Sequence, residues 1–415
     1  MTNQEQYDAR INRVKQAIEL KIPDRVPCIP QTQCFPYLWA GYTMDEIMYD
    51  AKKAQDALKR FLVHFEPDMM FGYSGLFGGQ GAMLEKLGIN WLQWPGRPGS
   101  KVGKRDIFQY IEKPYLGDDE YPELLGDFSG WVLNKWLPRC FTTMECFKDI
   151  KIPLMLSYQT IAAMPQFMNP QIVETLKLFA EVGAEAIQYY QECAMFEKEI
   201  MEMGFPIEIG GTTTTAFDQL SDTLRGTIDT MADLYEQPEY VHQAVERFYP
   251  SSLFGALGQL EHANGFFAFI PLHKGLDGFM SPEQYNEFYW PTLKRLIEDL
   301  IKFGYTPLVY TEGKYDSRME TIVDVPEGKC LFHFEDVDMK EAKRIFGGRH
   351  CISGGLSSKV LRDGKPQDVR DAVRRLFDIV AVDGGYIFDM NDTIDDVPTE
   401  NVEALYDEVK TYGEY

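Results

Sequence analysis

Several things are missing from this sequence, and each absence narrows what the chain can be. There is no run of 18 apolar residues, so no membrane-spanning helix is expected. The first residues, MTNQEQYDARINRVKQAIELK, are polar and helical in pattern and lack the apolar stretch of a secretory signal, so a cytoplasmic protein is expected. Positive charge is scarce. Forty-one Lys and Arg stand against 64 Asp and Glu, a net charge of −23 that would repel nucleic acid. There is no CxxC pair. Cys28, Cys34, Cys140, Cys146, Cys193, Cys330 and Cys351 are scattered, odd in number, and read as reduced thiols. No GxGxxG follows a strand, and neither GxxxxGK[ST] nor HExxH occurs, so the common dinucleotide, nucleotide and zinc-protease motifs are excluded.

What is present is an ordinary globular composition, 45% hydrophobic and 25% charged, in a chain long enough for one large barrel with an insertion. Residues 26–29 read as a first buried strand, a helix is expected over 43–65, and a second strand ends near Phe71. Residues 96–150 lose this periodicity and read as an inserted, lid-like segment. PLMLSYQ (153–159) is a short strand candidate, and helices are expected near 170–181 and 185–203, although AIQYYQE fits an extended segment too. FPIEIGGTTTT and GFFAFIPLHKG are strands with polar exits. Beyond them the alternation is regular, with strands at 306–310, 329–334, 350–353 and 385–389 separated by amphipathic helices. That order predicts parallel βαβ units and a (β/α)8 barrel spanning 1–415 as a single domain.

In such a barrel the C-terminal ends of the strands converge on one mouth. Reading each strand to its end gives Gln31, then 212–215, then His273, Lys274 and Asp277. Tyr310 and Glu312, His333 and Glu335, Ser353, and finally Asp389 and Asp392 follow. A mixed His, Glu and Asp set suits a divalent metal with N and O ligands, or general acid and base work. Each residue also has a structural reading: a hydrogen-bonded core histidine for His273 or His333, a helix cap for Glu312 or Glu335, a turn former for Asp392 or Asp395. Aromatics such as Tyr37, Trp39, Phe71, Tyr73, Phe77 and Tyr158 serve an apolar pocket or plain core packing equally well.

Six segments taken together resemble the uroporphyrinogen decarboxylase superfamily. They are DRVPCIP (24–30), GFMSPEQYNEFYWPTLKRLI (278–297), TPLVYTEG (306–313), DVDMKEAKRIFG (336–347), CISGGLSSKVLRDGKPQDV (351–369) and VPTENVEAL (397–405). The resemblance implies a distorted (β/α)8 barrel. The chain departs from the decarboxylase itself. PQTQCFPYLWAG (30–41) has no Arg where that enzyme holds its tetrapyrrole carboxylates, and MMFGYSG (69–75) has no Asp, Asp68 being the nearest. In the coenzyme M branch a His-x-Cys motif and a later Cys bind zinc. The matching positions here are Tyr310-Thr311-Glu312 and Asp392, so both thiolates are replaced by carboxylates. Segments 224–239, 273–281 and 310–318 resemble a branch linked with anaerobic demethylation of methyl ethers, whose zinc is held by Glu and His. Glu312, Glu327 and His350 match that Glu/Glu/His order loosely.

The resemblance therefore implies a methyltransferase that cleaves a methyl ether, aromatic ethers included, or a related methylated small molecule. The methyl group would pass to a corrinoid carried by a separate protein, since no Asp-x-His-x-x-Gly attachment segment occurs here. Its expected site combines His273, Glu312, Glu335 and Asp392 as zinc ligands with Tyr310, His333 and Asp277 as catalytic groups. Gln31, Phe71, Tyr73, Lys274, Arg318 and Asp389 would contact the substrate. A metal-independent lyase or decarboxylase using His273 and Asp277 stays open, as does a non-catalytic binding protein. A homodimer is expected from size alone.

Overall fold

A computed structural model describes residues 1–72, 78–151 and 158–415. Two strands, β1 (Leu92–Gln93) and β2 (Gln109–Tyr110), form a small antiparallel ribbon. Six more form one parallel sheet in sequence order: β3 (Ile209–Thr212), β4 (Phe267–Leu272), β5 (Thr306–Lys314), β6 (Leu331–Asp336), β7 (Cys351–Gly354) and β8 (Tyr386–Ile387). Two extended segments close this sheet into a barrel. Cys28 pairs in parallel with Phe388 beyond β8, the Asp68 N–H donates to the Cys28 carbonyl, and Met70 pairs in parallel with Ile207 ahead of β3. With segments 26–30 and 68–72 counted there are eight strand positions, which is the expected distorted (β/α)8 barrel.

The N-terminal end of the barrel is sealed by apolar groups from nearly every strand position. Ile29, Met69, Phe267, Leu308, Leu331, Cys351 and Ile387 pack against Val14, Ala17 and Ile18 of the helix Asn3–Ile18. That helix is started by a capping box between Thr2 and Glu5. Its Arg13 reaches the fully buried Asp68 at 2.5 Å; Arg25 contacts the same carboxylate at 2.8 Å, and the Cys28 N–H donates to it at 2.7 Å. Asp68 thus ties the first two strand positions to the plug.

The expected strand at 153–159 lies partly outside the described residues. The two helices expected near 170–203 are one continuous helix, Pro170–Glu202. Gly183 in its interior is tolerated, because a single glycine weakens a helix without ending it. The helix expected between the strands at 306–310 and 329–334 is short, Met319–Ile322, because β5 runs on to Lys314. Among the described residues no helix is long and apolar enough to cross a membrane.

Candidate active site

Above the apolar plug the strand ends turn polar, and two adjoining cavities open there. One, about 530 Å³, lies over the strand ends and is lined by Gln31, Phe71, Thr212, Phe269, Tyr310 and Glu335 among others. The second, about 780 Å³, lies between the exits of β3 to β5 and residues 91–140, of which Trp91, Tyr110, Glu112, Tyr115 and Trp136 line it. Both share Tyr110, Thr214, His273 and Glu312, so these four side chains form the wall between the chambers.

His273 is the best-positioned group in that wall. Its Nδ1 lies 2.5 Å from Asp222 Oδ2, and its Nε2 faces Glu312 Oε1 at 3.6 Å. The Asp218 carboxylate accepts the backbone N–H groups of His273 and Lys274, and the Tyr289 hydroxyl at 2.7 Å. Burial alone would lower the His273 pKa. The hydrogen bond to Asp222 and the charges of Asp218, Asp222 and Glu312 outweigh it and push the imidazole up to about 9. The ring is therefore an imidazolium at neutral pH, with Nε2–H directed into the chambers. Burial raises the Glu312 carboxyl above the usual range, partly offset by His273. Lys274 bridges Asp222 at 3.2 Å and Glu112 at 3.3 Å.

Tyr310 and His333 form a parallel stack, 3.8 Å between centroids, behind the first chamber. His333 is fully buried, with Nδ1 3.2 Å from both Ser353 Oγ and Asp389 Oδ2, and Nε2 3.2 Å from the Asn391 carbonyl. With both nitrogens engaged, His333 supports Tyr310. Burial, then the charge of Asp389, holds the Tyr310 phenol well above its ordinary pKa, so it stays a neutral donor. Asp389 also accepts the Gln31 backbone N–H. Among the described residues the buried Gln31 Nε2 has no hydrogen-bond partner.

Other expected residues are placed differently. Asp277 lines neither chamber; its carboxylate accepts the Ser317 N–H and hydroxyl and pairs with Arg318 at 3.4 Å. Arg318 is itself buried, donating to the Gly275 and Met280 carbonyls with its guanidinium over Tyr285. Together they brace the loop after β4. Tyr73 lies outside the described residues. Glu327 pairs with Arg349, and His350 is buried against the Val323 carbonyl at the N-terminal end of β7. Both are remote from the mouth.

The metal expectation is tested by the donors themselves. The 3.6 Å between His273 Nε2 and Glu312 Oε1 is close to the separation of two neighbouring ligands on a tetrahedral zinc, about 3.4 Å from bond lengths near 2.1 Å. A carboxylate behind the histidine is also usual there. The remaining candidates are committed elsewhere. Glu335 accepts the Gly313 N–H, and Asp392 accepts the Ser358 N–H and hydroxyl at 3.0 and 2.6 Å. Among the described residues no group of three His, Cys, Asp or Glu is placed to hold an ion. Two donors do not make the three-ligand set of a catalytic zinc site.

Sequence reasoning missed Asp218 and Asp222. Their i,i+4 spacing after a Thr-rich strand exit was a usable signal, because it puts two carboxylates on one helix face. A π-helical turn, Ser221–Arg225, begins just before Asp222.

Fold and site define a (β/α)8-barrel enzyme with a divided, largely apolar mouth. The family model described as uroporphyrinogen decarboxylase (URO-D) matches residues 152–412, and the chain belongs to that family. A curated uroporphyrinogen decarboxylase from Syntrophotalea carbinolica is 25% identical over 175 residues, covering 42% of this chain. The match spans about half of that relative, 49% of its length. A solved methyltransferase from Methanosarcina mazei shares the fold with a TM-score of 0.60 over 99% of both chains, at 15% identity. Segment 30–41 gives the chamber Gln31, Thr32, Gln33 and Tyr37, none of them cationic. Among the described residues the cations lining the chambers are His273 and Lys274, each already paired with carboxylates. Such a mouth is poorly suited to a polycarboxylate.

Proposed function

We propose that this chain is a cytoplasmic methyltransferase that cleaves a methyl ether and passes the methyl group to a corrinoid on a separate protein. The observation that carries this reading is His273: an imidazolium held by Asp222, with Nε2–H at the junction of two aromatic-lined chambers. An ether oxygen is a poor leaving group until it gains a proton. As the carbon–oxygen bond breaks, the electron pair stays on oxygen and the proton on His273 Nε2 moves to it. The partner's Co(I) corrinoid would supply the electron pair that takes up the methyl carbon. Tyr310 and Gln31, which line the first chamber, would donate hydrogen bonds to the bound molecule, and the aromatic rings of both chambers would exclude water.

Among the described residues zinc, which the family resemblance implied, would have His273 and Glu312 alone to bind it, so proton delivery rather than Lewis-acid polarisation is assigned to this site. The family fold, the methyltransferase that shares it and the neutral 30–41 segment support methyl transfer over decarboxylation.

The test is His273→Gln, assayed anaerobically by the loss of absorbance of free Co(I) cobalamin with methoxyarenes. An anisole with an unactivated phenol should lose roughly 10²–10³ in rate, the usual worth of a general acid. A methoxyarene with strongly electron-withdrawing substituents, whose phenolate leaves without a proton, should lose much less. Equal loss on both would refute acid assistance, and no turnover of either by the unaltered protein would refute ether cleavage.

A further inference from the structure

The first chamber carries charge of one sign. Three carboxylates line it, Glu312, Glu335 and Asp392, and among the described residues no Lys or Arg does. His273 is the one cation in its wall, and that ring is already matched at 2.5 Å by Asp222, which lines the second chamber. Among the described residues neither Glu335 nor Asp392 pairs with a Lys, Arg or His. Their partners are neutral: the Gly313 N–H for Glu335, the Ser358 N–H and hydroxyl for Asp392. Donors of this kind orient a carboxylate and favour its charged form. The charge stands beside rings. Phe71 meets Phe269 edge to face at 6.0 Å between centroids, and Phe269 meets Tyr310 at 5.4 Å, so three aromatic side chains make one continuous wall of the chamber. Gln31 lines the same chamber, is 8% exposed, and has no hydrogen-bond partner at Nε2 among the described residues. A buried polar group left open in this way is ordinarily completed by a ligand or a water. Like charges gathered in an aromatic cavity add nothing to stability, since repulsion and lost hydration both oppose them. An opposite charge brought in by a ligand removes both costs.

We propose that the molecule taken into the first chamber is a cation, a methoxyarene bearing a protonated amine, whose ammonium group lies against Glu335 and Asp392 while its ring packs on Phe71, Phe269 and Tyr310. This rests on the reading that a methyl ether binds here with its oxygen toward His273, and it names the class of ether. Each part of the chamber contributes. An aromatic face is weakly negative and attracts a cation, the more so where water is excluded. An ammonium also donates charge-assisted hydrogen bonds to carboxylate oxygens. The chain's net charge of −23 draws cations from solution toward the mouth. The same features exclude the opposite class. A methoxybenzoate would add a negative charge beside the three carboxylates, with no Lys or Arg among the described lining residues to receive it.

Titration calorimetry on the full chain without any corrinoid reads binding separately from turnover. The probes are para-methoxybenzyl alcohol, para-methoxybenzoate, para-methoxybenzylamine and the amine one carbon longer. The better amine should bind about tenfold tighter than the alcohol at low ionic strength, and the benzoate should bind weakest. High salt should shrink the amine's advantage several-fold while leaving the alcohol's Kd in place. Glu335→Gln combined with Asp392→Asn keeps both shapes and an acceptor at each position, and should bring amine and alcohol to within about threefold of each other. Should that variant fail to fold, the salt dependence of the native chain decides. An amine bound no more tightly than the alcohol, or an advantage untouched by salt or by the double variant, would overturn the proposal. Preferred binding of the amine without methyl transfer to Co(I) cobalamin would refute ether cleavage and leave the cation site standing. Transfer from amine and alcohol with equal affinity would do the reverse.

Discussion

Asp222→Asn isolates the group that makes His273 an acid. The substitution keeps shape but removes the negative charge 2.5 Å from Nδ1. In the native chain the imidazole, raised from 6.5 to about 9, is roughly 97% protonated at pH 7.5. Without Asp222, burial is opposed only by Asp218 and Glu312, and a return to near the ordinary 6.5 is expected. About a tenth of the rings would then carry the proton at pH 7.5. The rate on an unactivated methyl ether should fall roughly tenfold there and recover as the pH is lowered toward 6. The alkaline limb of the rate profile should move down by about 2.5 pH units. Imidazole NMR gives the same answer without turnover, because the chain has only six histidines to assign. The sign for stability follows from linkage. With its folded pKa above its unfolded one, His273 adds stability that is complete below pH 6.5 and is lost as the pH rises through about 9. The gross shift corresponds to about 3 kcal/mol, and to about 2 after screening of a ring that is one-third exposed. A native His273 titrating near 6.5, or a variant whose titration does not move, would refute this account.

Two further outcomes are expected. Asp68→Ala should lower stability by about 3 kcal/mol, because Arg25 and the Cys28 N–H lose their buried acceptor while Arg13 keeps its pair with Asp24. A thermal or denaturant melt checks this, and a loss below about 1 kcal/mol would mean that the plug is not held by this ion pair. Protein purified without added metal or chelator should contain far less than one zinc per chain by mass spectrometry. One full equivalent, lost in Glu312→Ala, would replace the proton at His273 with a Lewis acid at the same position.

The fold was legible where chemistry changes abruptly along a strand. TPLV ending in Tyr310 and Glu312, and LFHF ending in Glu335, read as strands with polar mouths because barrel interiors demand apolar residues below and tolerate charge only at the rim. Position along a strand does not fix which way a carboxylate turns. Asp277, Glu335 and Asp392 all sit at strand exits, yet each is taken by a neighbouring backbone N–H, a contact that depends on loop geometry rather than residue type. Asp222 was hidden for the opposite reason: it lies on a helix, where an acidic residue is ordinarily a solvated one. The helix Pro170–Glu202 was misread as two because its apolar residues spread beyond the buried stripe of Val182 and Phe196 to exposed Ile187 and Tyr190 on its flank. An amphipathic pattern with one narrow apolar stripe is easy to recognise; a second stripe about a third of a turn away widens the apolar arc and blurs the period, as in AIQYYQE. The failure of the periodicity therefore carries information: the segment that confuses the secondary-structure reading is also the one whose outer face is left without a covering element.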